Sequence, residues 1–183
     1  THPWDRPPFP TRGNKSADVL FEAIGRTLNA WEETEVACSH LLAAIRAGAP
    51  FDQAANRDYG EGHIFVVRLG NLRTIARQHF VRNPNQDLEA EFDRLTTFAE
   101  NYCARRNDIA HGVVRIVHKI LDPDTTMLSF RGAPQWCLIP PHFKGSKFTK
   151  ANRPAYALTS WEINEFGKVF WSLTHGLTNL AYA

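Results

Sequence analysis

Apolar residues fall at helical spacing along four stretches of the chain. In the first, Leu20, Ile24, Leu28, Trp31, Cys38, Leu42 and Ile45 recur three, four or seven residues apart, one face of a helix of about eight turns. Glu35 falls inside that stripe, and Gly48 followed by Pro50 ends it. A second helix fits 61–80, with Phe65, Leu69, Leu72, Ala76 and Phe80 as its apolar face and Pro84 closing the connection. The third starts near Asp87. Leu88, Phe92, Leu95, Ala99 and Tyr102 lead to Arg106, Ile109 and Val113 by the same steps, which sets a guanidinium on the inward stripe. Gly112 is placed as its stop. The closing helix runs from about 160 to 182, with Ile163, Phe166, Phe170, Leu173, Leu177 and Leu180 forming a bundle seam. Thr159 with Glu162 three residues later reads as its capping box.

Between the third and fourth helices the pattern changes. VVRIVHKIL (113–121) is rich in β-branched residues, and Asp122-Pro123-Asp124 reads as a turn. TMLSF (126–130), WCLI (136–139) and Tyr156-Ala157-Leu158 are further strand candidates. Residues 1–15, with four prolines, predict an extended arm that Trp4 and Phe9 can pin to the body. The expected architecture is therefore mainly α. A four-helix bundle over 16–183 forms one domain, with a small β-meander (about 113–158) inserted before the last helix.

Composition narrows the function only a little. With 183 residues, 43% hydrophobic and 22% charged, the chain fits one globular domain and not a disordered one. Lys and Arg number 21 against 19 Asp and Glu, a net charge of +2, so an interest in nucleic acid has to come from local clusters. Cys38, Cys103 and Cys137 are three and far apart, which speaks against a disulfide framework or a thiolate zinc site and for a reducing, cytoplasmic setting. No apolar run approaches the ~20 residues of a membrane helix. THPWDRPPFP lacks the apolar core of a signal peptide. A start at Thr1 is what a trimmed chain would show.

The informative run is Arg105-Arg106-Asn107-Asp108-Ile109-Ala110-His111-Gly112, which gathers two guanidinium groups, an amide, a carboxylate and an imidazole at one helix end. Asn107 and His111 are i,i+4 and share a face. Arg106 and His111 lie roughly 140° apart and ~7.5 Å along the axis, so one helix supplies half a site and two converging helix ends supply a whole one. His111 sits in the last turn, a position that suits a proton-transfer group, with Asp108 one turn earlier to support it.

This run resembles the signature of the HEPN domain family: an arginine, a polar neighbour and, a few residues on, a histidine, here Arg106, Asn107 and His111. The resemblance covers roughly 16–182, including the helical body and its interrupted final segment. It implies a homodimer with the two motifs facing one cleft, and metal-independent cleavage of single-stranded RNA in a toxin, phage-defence or RNA-processing setting. The 2′-OH would attack, leaving a 2′,3′-cyclic phosphate and a 5′-OH. His111 would move protons, Arg106 would stabilise charge on phosphorus, and Asn107 would orient the phosphate or the imidazole. The resemblance implies no cofactor or metal. It leaves room for an antitoxin or regulatory partner, although Val113 stands where toxins silenced by nucleotidyl transfer often carry a tyrosine. An inactive HEPN dimer that binds RNA, a nucleotide or a protein is the alternative.

Other residues carry a plainer reading beside the functional one. Arg106, Asn107 and His111 either act as the motif, with Arg105 and Asp108 in support, or make up a polar helix end that forms ion pairs with Asp108 and its neighbours. Glu35 either holds Arg106 or forms a salt bridge with a neighbouring arginine. Lys144, Lys147, Lys150 and Arg153, with Phe143 and Phe148 between them, form a solvated loop or a surface for single-stranded RNA, cations on phosphates and rings under bases. Trp31, Trp161 and Trp171 are expected in the core.

Overall fold

The computed structural model describes residues 2–117, 134–149 and 153–183. The described residues form five α-helices and a two-stranded antiparallel sheet that precedes the last helix. The helices are α1 (Ala17–Ala47), α2 (Gln53–Gly60), α3 (Phe65–Arg82), α4 (Gln86–Ala110) and α5 (Ser160–Ala181). The strands are β1 (Val113–Ile116) and β2 (Trp136–Ile139). The turn at 122–124, the strand candidate at 126–130 and Lys150 lie outside the described residues.

The chain divides into two units, Thr1–Leu28 with Arg105–Gly167, and Asn29–Ala104 with Lys168–Ala183. The second unit is helical. Its centre is Trp31, fully buried, whose ring meets Phe65 edge-on at 4.8 Å and Phe170 at 5.0 Å. The faces expected from sequence are the faces buried: Leu69, Leu72 and Ala76 on α3, Phe92, Leu95 and Ala99 on α4, Leu173 and Leu177 on α5. Gly48 ends α1 at a φ of 66°, a left-handed conformation that favours glycine. Two differences from the sequence reading have local causes. The short helix α2 was not expected. Asp52 caps it by accepting from Ala55 N–H at 2.8 Å, and only Ala55 and Tyr59, one turn apart, are buried, too brief a stripe to register as a period. Second, α3 begins at Phe65 rather than 61, because Gly60 and Gly62 break the chain there and Arg68 reaches back to the Gly62 carbonyl at 2.8 Å.

The first unit is built around β2. One edge of β2 pairs with β1 in the register Val113↔Ile139 to Ile116↔Trp136. The other edge is satisfied by single residues: Asn14 exchanges backbone hydrogen bonds with Trp136, and Leu158 with Leu138. Thus 156–158 contributes one bridge and not a full strand. Val117, Cys137, Ile139 and Ala157 make a small core, with Phe9 of the arm and Val113 packed against it. The arm is irregular, with a turn in which Asp5 N–H donates to the His2 carbonyl at 3.0 Å, and it is fixed by these contacts. The Asn14 amide also brackets the start of α5, donating to Ser160 Oγ at 2.7 Å and accepting from Ser160 N–H at 2.9 Å. The capping box forms as expected: Thr159 N–H donates to Glu162 Oε2 at 2.8 Å, and Trp161 N–H donates to Thr159 Oγ1. Of the tryptophans expected inside, only Trp31 is; Trp161 and Trp171 lie on the outward face of α5, off the Ile163–Phe170–Leu177 seam. Gly112 is not a left-handed cap, since α4 ends at Ala110 without one. A Cβ at Gly112 would lie 2.6 Å from Leu138 Cγ and 2.9 Å from the Asp108 carbonyl, so glycine is needed there for close approach to β2.

Candidate functional site

The Arg105–His111 run occupies the end of α4, Arg105 to Ala110, and the residue just past it, and all of it lies in the first unit. Helix geometry splits the run between two directions. Asp108 and Ile109 turn inward and are buried, while Asn107 and His111 are exposed and Arg106 is half-buried. Arg106 Nη1 donates to Asn107 Oδ1 at 3.2 Å, so the guanidinium and the amide work as a pair. His111 N–H still donates to the Asn107 carbonyl at 3.1 Å, which holds the imidazole-bearing residue on the final helical turn.

Asp108 is an ion-paired carboxylate. Its side chain is 4% exposed, and its oxygens are taken by three cations rather than offered to His111. Arg6, from the arm, donates from Nε to Oδ2 at 2.9 Å and from Nη2 to Oδ1 at 3.1 Å. Arg105 Nη2 lies 3.2 Å from Oδ2, one helical turn away. Lys147 Nζ donates to Oδ1 at 3.2 Å. Tyr156 fixes the helix end from behind, its hydroxyl donating to the Asp108 carbonyl at 2.9 Å. Burial, then Asp108, pushes the Tyr156 phenol well above its ordinary value. Burial pulls the Arg105 guanidinium below its ordinary value, with Asp108 opposing and Arg6 adding to the fall.

No family model matches the chain, and no curated protein or solved structure matches it either.

Of the basic loop, Lys147 joins the Asp108 cluster directly, on the 3-10 turn Gly145–Lys147. Arg153 instead covers the ring of Phe9, 4.3 Å from its centroid. Phe148 stacks on His142 at 5.1 Å and is half-buried. Lys144 is half-buried, and Phe143 is 85% exposed beside it. Glu35 is not part of this site. Its Oε1 accepts from Trp31 Nε1 at 3.0 Å, and its Oε2 pairs with Arg68. The arginine it holds is Arg68 and not Arg106, and the pair belongs to the second unit. Arg6 and Tyr156 are the residues the sequence did not single out. A lone Arg among the prolines of an arm, 102 positions from its partner, carries no local signal. Among the described residues, no three His, Cys, Asp or Glu side chains gather as metal ligands, and no helix is long and apolar enough to cross a membrane.

Proposed function

We propose that this chain is an HEPN-like endoribonuclease that cleaves single-stranded RNA without a metal. The observation that carries the reading is the placement of the half-buried Arg106, paired with Asn107, and of the exposed Asn107 and His111 within six residues at the end of α4, where three further cations gather on Asp108. In the reaction the 2′-oxygen attacks the adjacent phosphorus as its proton passes to an imidazole. The bond from phosphorus to the 5′-oxygen breaks, and that oxygen takes up a proton. The products are a 2′,3′-cyclic phosphate and a 5′-OH. The Arg106 guanidinium is the group placed to stabilise charge on the pentavalent phosphorus, and Asn107 steadies that guanidinium. One imidazole cannot be base and acid at both ends of the bond, so a homodimer with two His111 side chains at one cleft is part of the proposal. A toxin, defence or RNA-processing setting suits such an activity.

Incubation with single-stranded RNA in excess chelator tests the reading. The wild-type chain should cut, and the Arg106→Ala and His111→Ala chains should not. Tight RNA binding with no cleavage by any of the three would instead favour a binding module, for which the exposed Phe143 beside Lys144 and Lys147 is suited.

A further inference from the structure

Three cations converge on the single buried carboxylate of Asp108, more than an ion pair requires. The other acid that acts on Arg105 is Asp5, on the exposed part of the arm. Counting both acids, positive charge remains in excess. The donors are also unevenly served. Arg105 is 11% exposed, and its Nε and Nη1 are sealed from solvent without an acceptor among the described residues. Arg6 and Lys147 are 28% and 37% exposed, so each has a solvent-facing side that Asp108 does not use. Arg6 is held in place from behind, its guanidinium 5.1 Å from the centroid of the Tyr156 ring. A buried positive charge behind two half-open, positioned cations is the arrangement that receives an anion. Asp108, turned inward, and His111, exposed, are three residues apart on the helix end, about 4.5 Å along the axis and about 60° around it, so one strand lying across the helix end would meet both the cation cluster and His111.

We propose that Arg6 and Lys147, backed by Arg105, form a phosphate subsite that takes the phosphodiester neighbouring the one presented to His111, and that Asp108 holds the three cations together until the strand arrives. The inference rests on the nuclease reading for the identity of the strand but not for the existence of the subsite. It brings the N-terminal arm into substrate binding, and it makes a single nucleotide a poorer ligand than a strand spanning two phosphates.

Anisotropy titrations of a labelled single-stranded 2′-deoxy oligonucleotide, over a range of salt, test this without any cleavage. Arg6→Gln and Lys147→Gln should each weaken binding and lower the slope of log K against log salt by about 0.7, the loss of one phosphate contact. Arg94→Gln, on an exposed ion pair with Glu91 that takes no part in the Asp108 cluster, should leave the slope unchanged. Asp108→Asn should tighten binding in whatever fraction folds, because it frees three cations, whereas a purely structural carboxylate would only cost stability. Slopes and affinities unchanged in both Arg6→Gln and Lys147→Gln would overturn the subsite. Inorganic phosphate that raises the melting temperature of wild type but not of Lys147→Gln, with no oligonucleotide bound, would overturn the assignment to a strand. Oligonucleotide binding that depends on Arg6 and Lys147, in a chain that cuts no RNA, would uphold the subsite and remove the nuclease.

Discussion

At the scale of single residues, the buried charges are the decisive features. Arg68 and Glu35 pair inside the helical unit, with Trp31 completing the carboxylate's hydrogen bonds. Burial works against the Arg68 charge, but the hydrogen bond and attraction of Glu35 together hold its pKa above the ordinary value. Removing one partner strands the other, so Arg68→Met should cost about 3–5 kcal/mol in urea unfolding. A change near neutral would mean that Glu35 reaches water. Gly112→Ala should also destabilise, by roughly 1–3 kcal/mol, because the new methyl group meets Leu138 and the Asp108 carbonyl. These residues mark how far the sequence could be read. A charged residue on an apolar stripe, Glu35, is recognisable as buried, and both readings of it give an arginine partner, Arg106 or a neighbouring arginine. The choice between Arg68 and Arg106 was not recognisable, because pairing across helices depends on their relative placement and not on spacing along one chain segment.

At the scale of elements, long amphipathic patterns were legible and short ones were not. The seam of α5 carries six apolar positions over five turns, and Ile163, Phe166, Phe170, Leu173 and Leu177 are all buried. The capping box at its start is equally local, and Thr159→Ala should cost about 1 kcal/mol of stability, measured by thermal or denaturant unfolding. The helix α2, with two buried residues, and the bridge at Leu158, with one pairing, fall below what periodicity detects. The wet face of α5 escapes the sequence for a different reason: Trp161 and Trp171 are apolar, yet they stand off the seam and are exposed. The 3-10 turn Gly145–Lys147 carries the basic loop to the end of α4. On the nuclease reading, Phe143→Ala should leave unfolding unchanged, because the ring is almost free of contacts, and weaken binding of single-stranded RNA by about 1–3 kcal/mol. Equal RNA affinity in the variant would exclude the ring from stacking.

For the molecule as a whole, buried thiols and phenols contribute to the alkaline limb of stability, the thiols first because their ordinary values are lower. Burial pushes the thiols of Cys38 and Cys137 up to about 12, from ordinary values of 9.0. The folded chain keeps both protons above pH 9 while the unfolded chain loses them. The thiols' contribution is therefore fully present below pH 9 and is lost as pH rises towards 12, by about 1.4 kcal/mol per pH unit for each thiol. Denaturant midpoints at pH 8 and pH 10 should show this decline, and Cys38→Ala or Cys137→Ala should flatten it. A midpoint that does not move would mean that the thiols ionise in the folded chain. The candidate site is likewise a property of the whole chain. Its helix-end run could be read locally, but Asp108 gathers an arm residue, a loop residue and its own helix neighbour, and only the folded chain brings them together.

Whether that gathering serves RNA cleavage is decided by the end groups of the products formed in excess chelator. The proposed chemistry predicts 2′,3′-cyclic phosphate and 5′-OH ends from the wild-type chain and intact RNA from Arg106→Ala and His111→Ala. Cleavage that persists in either variant, or that appears only when a divalent metal is added, would contradict it.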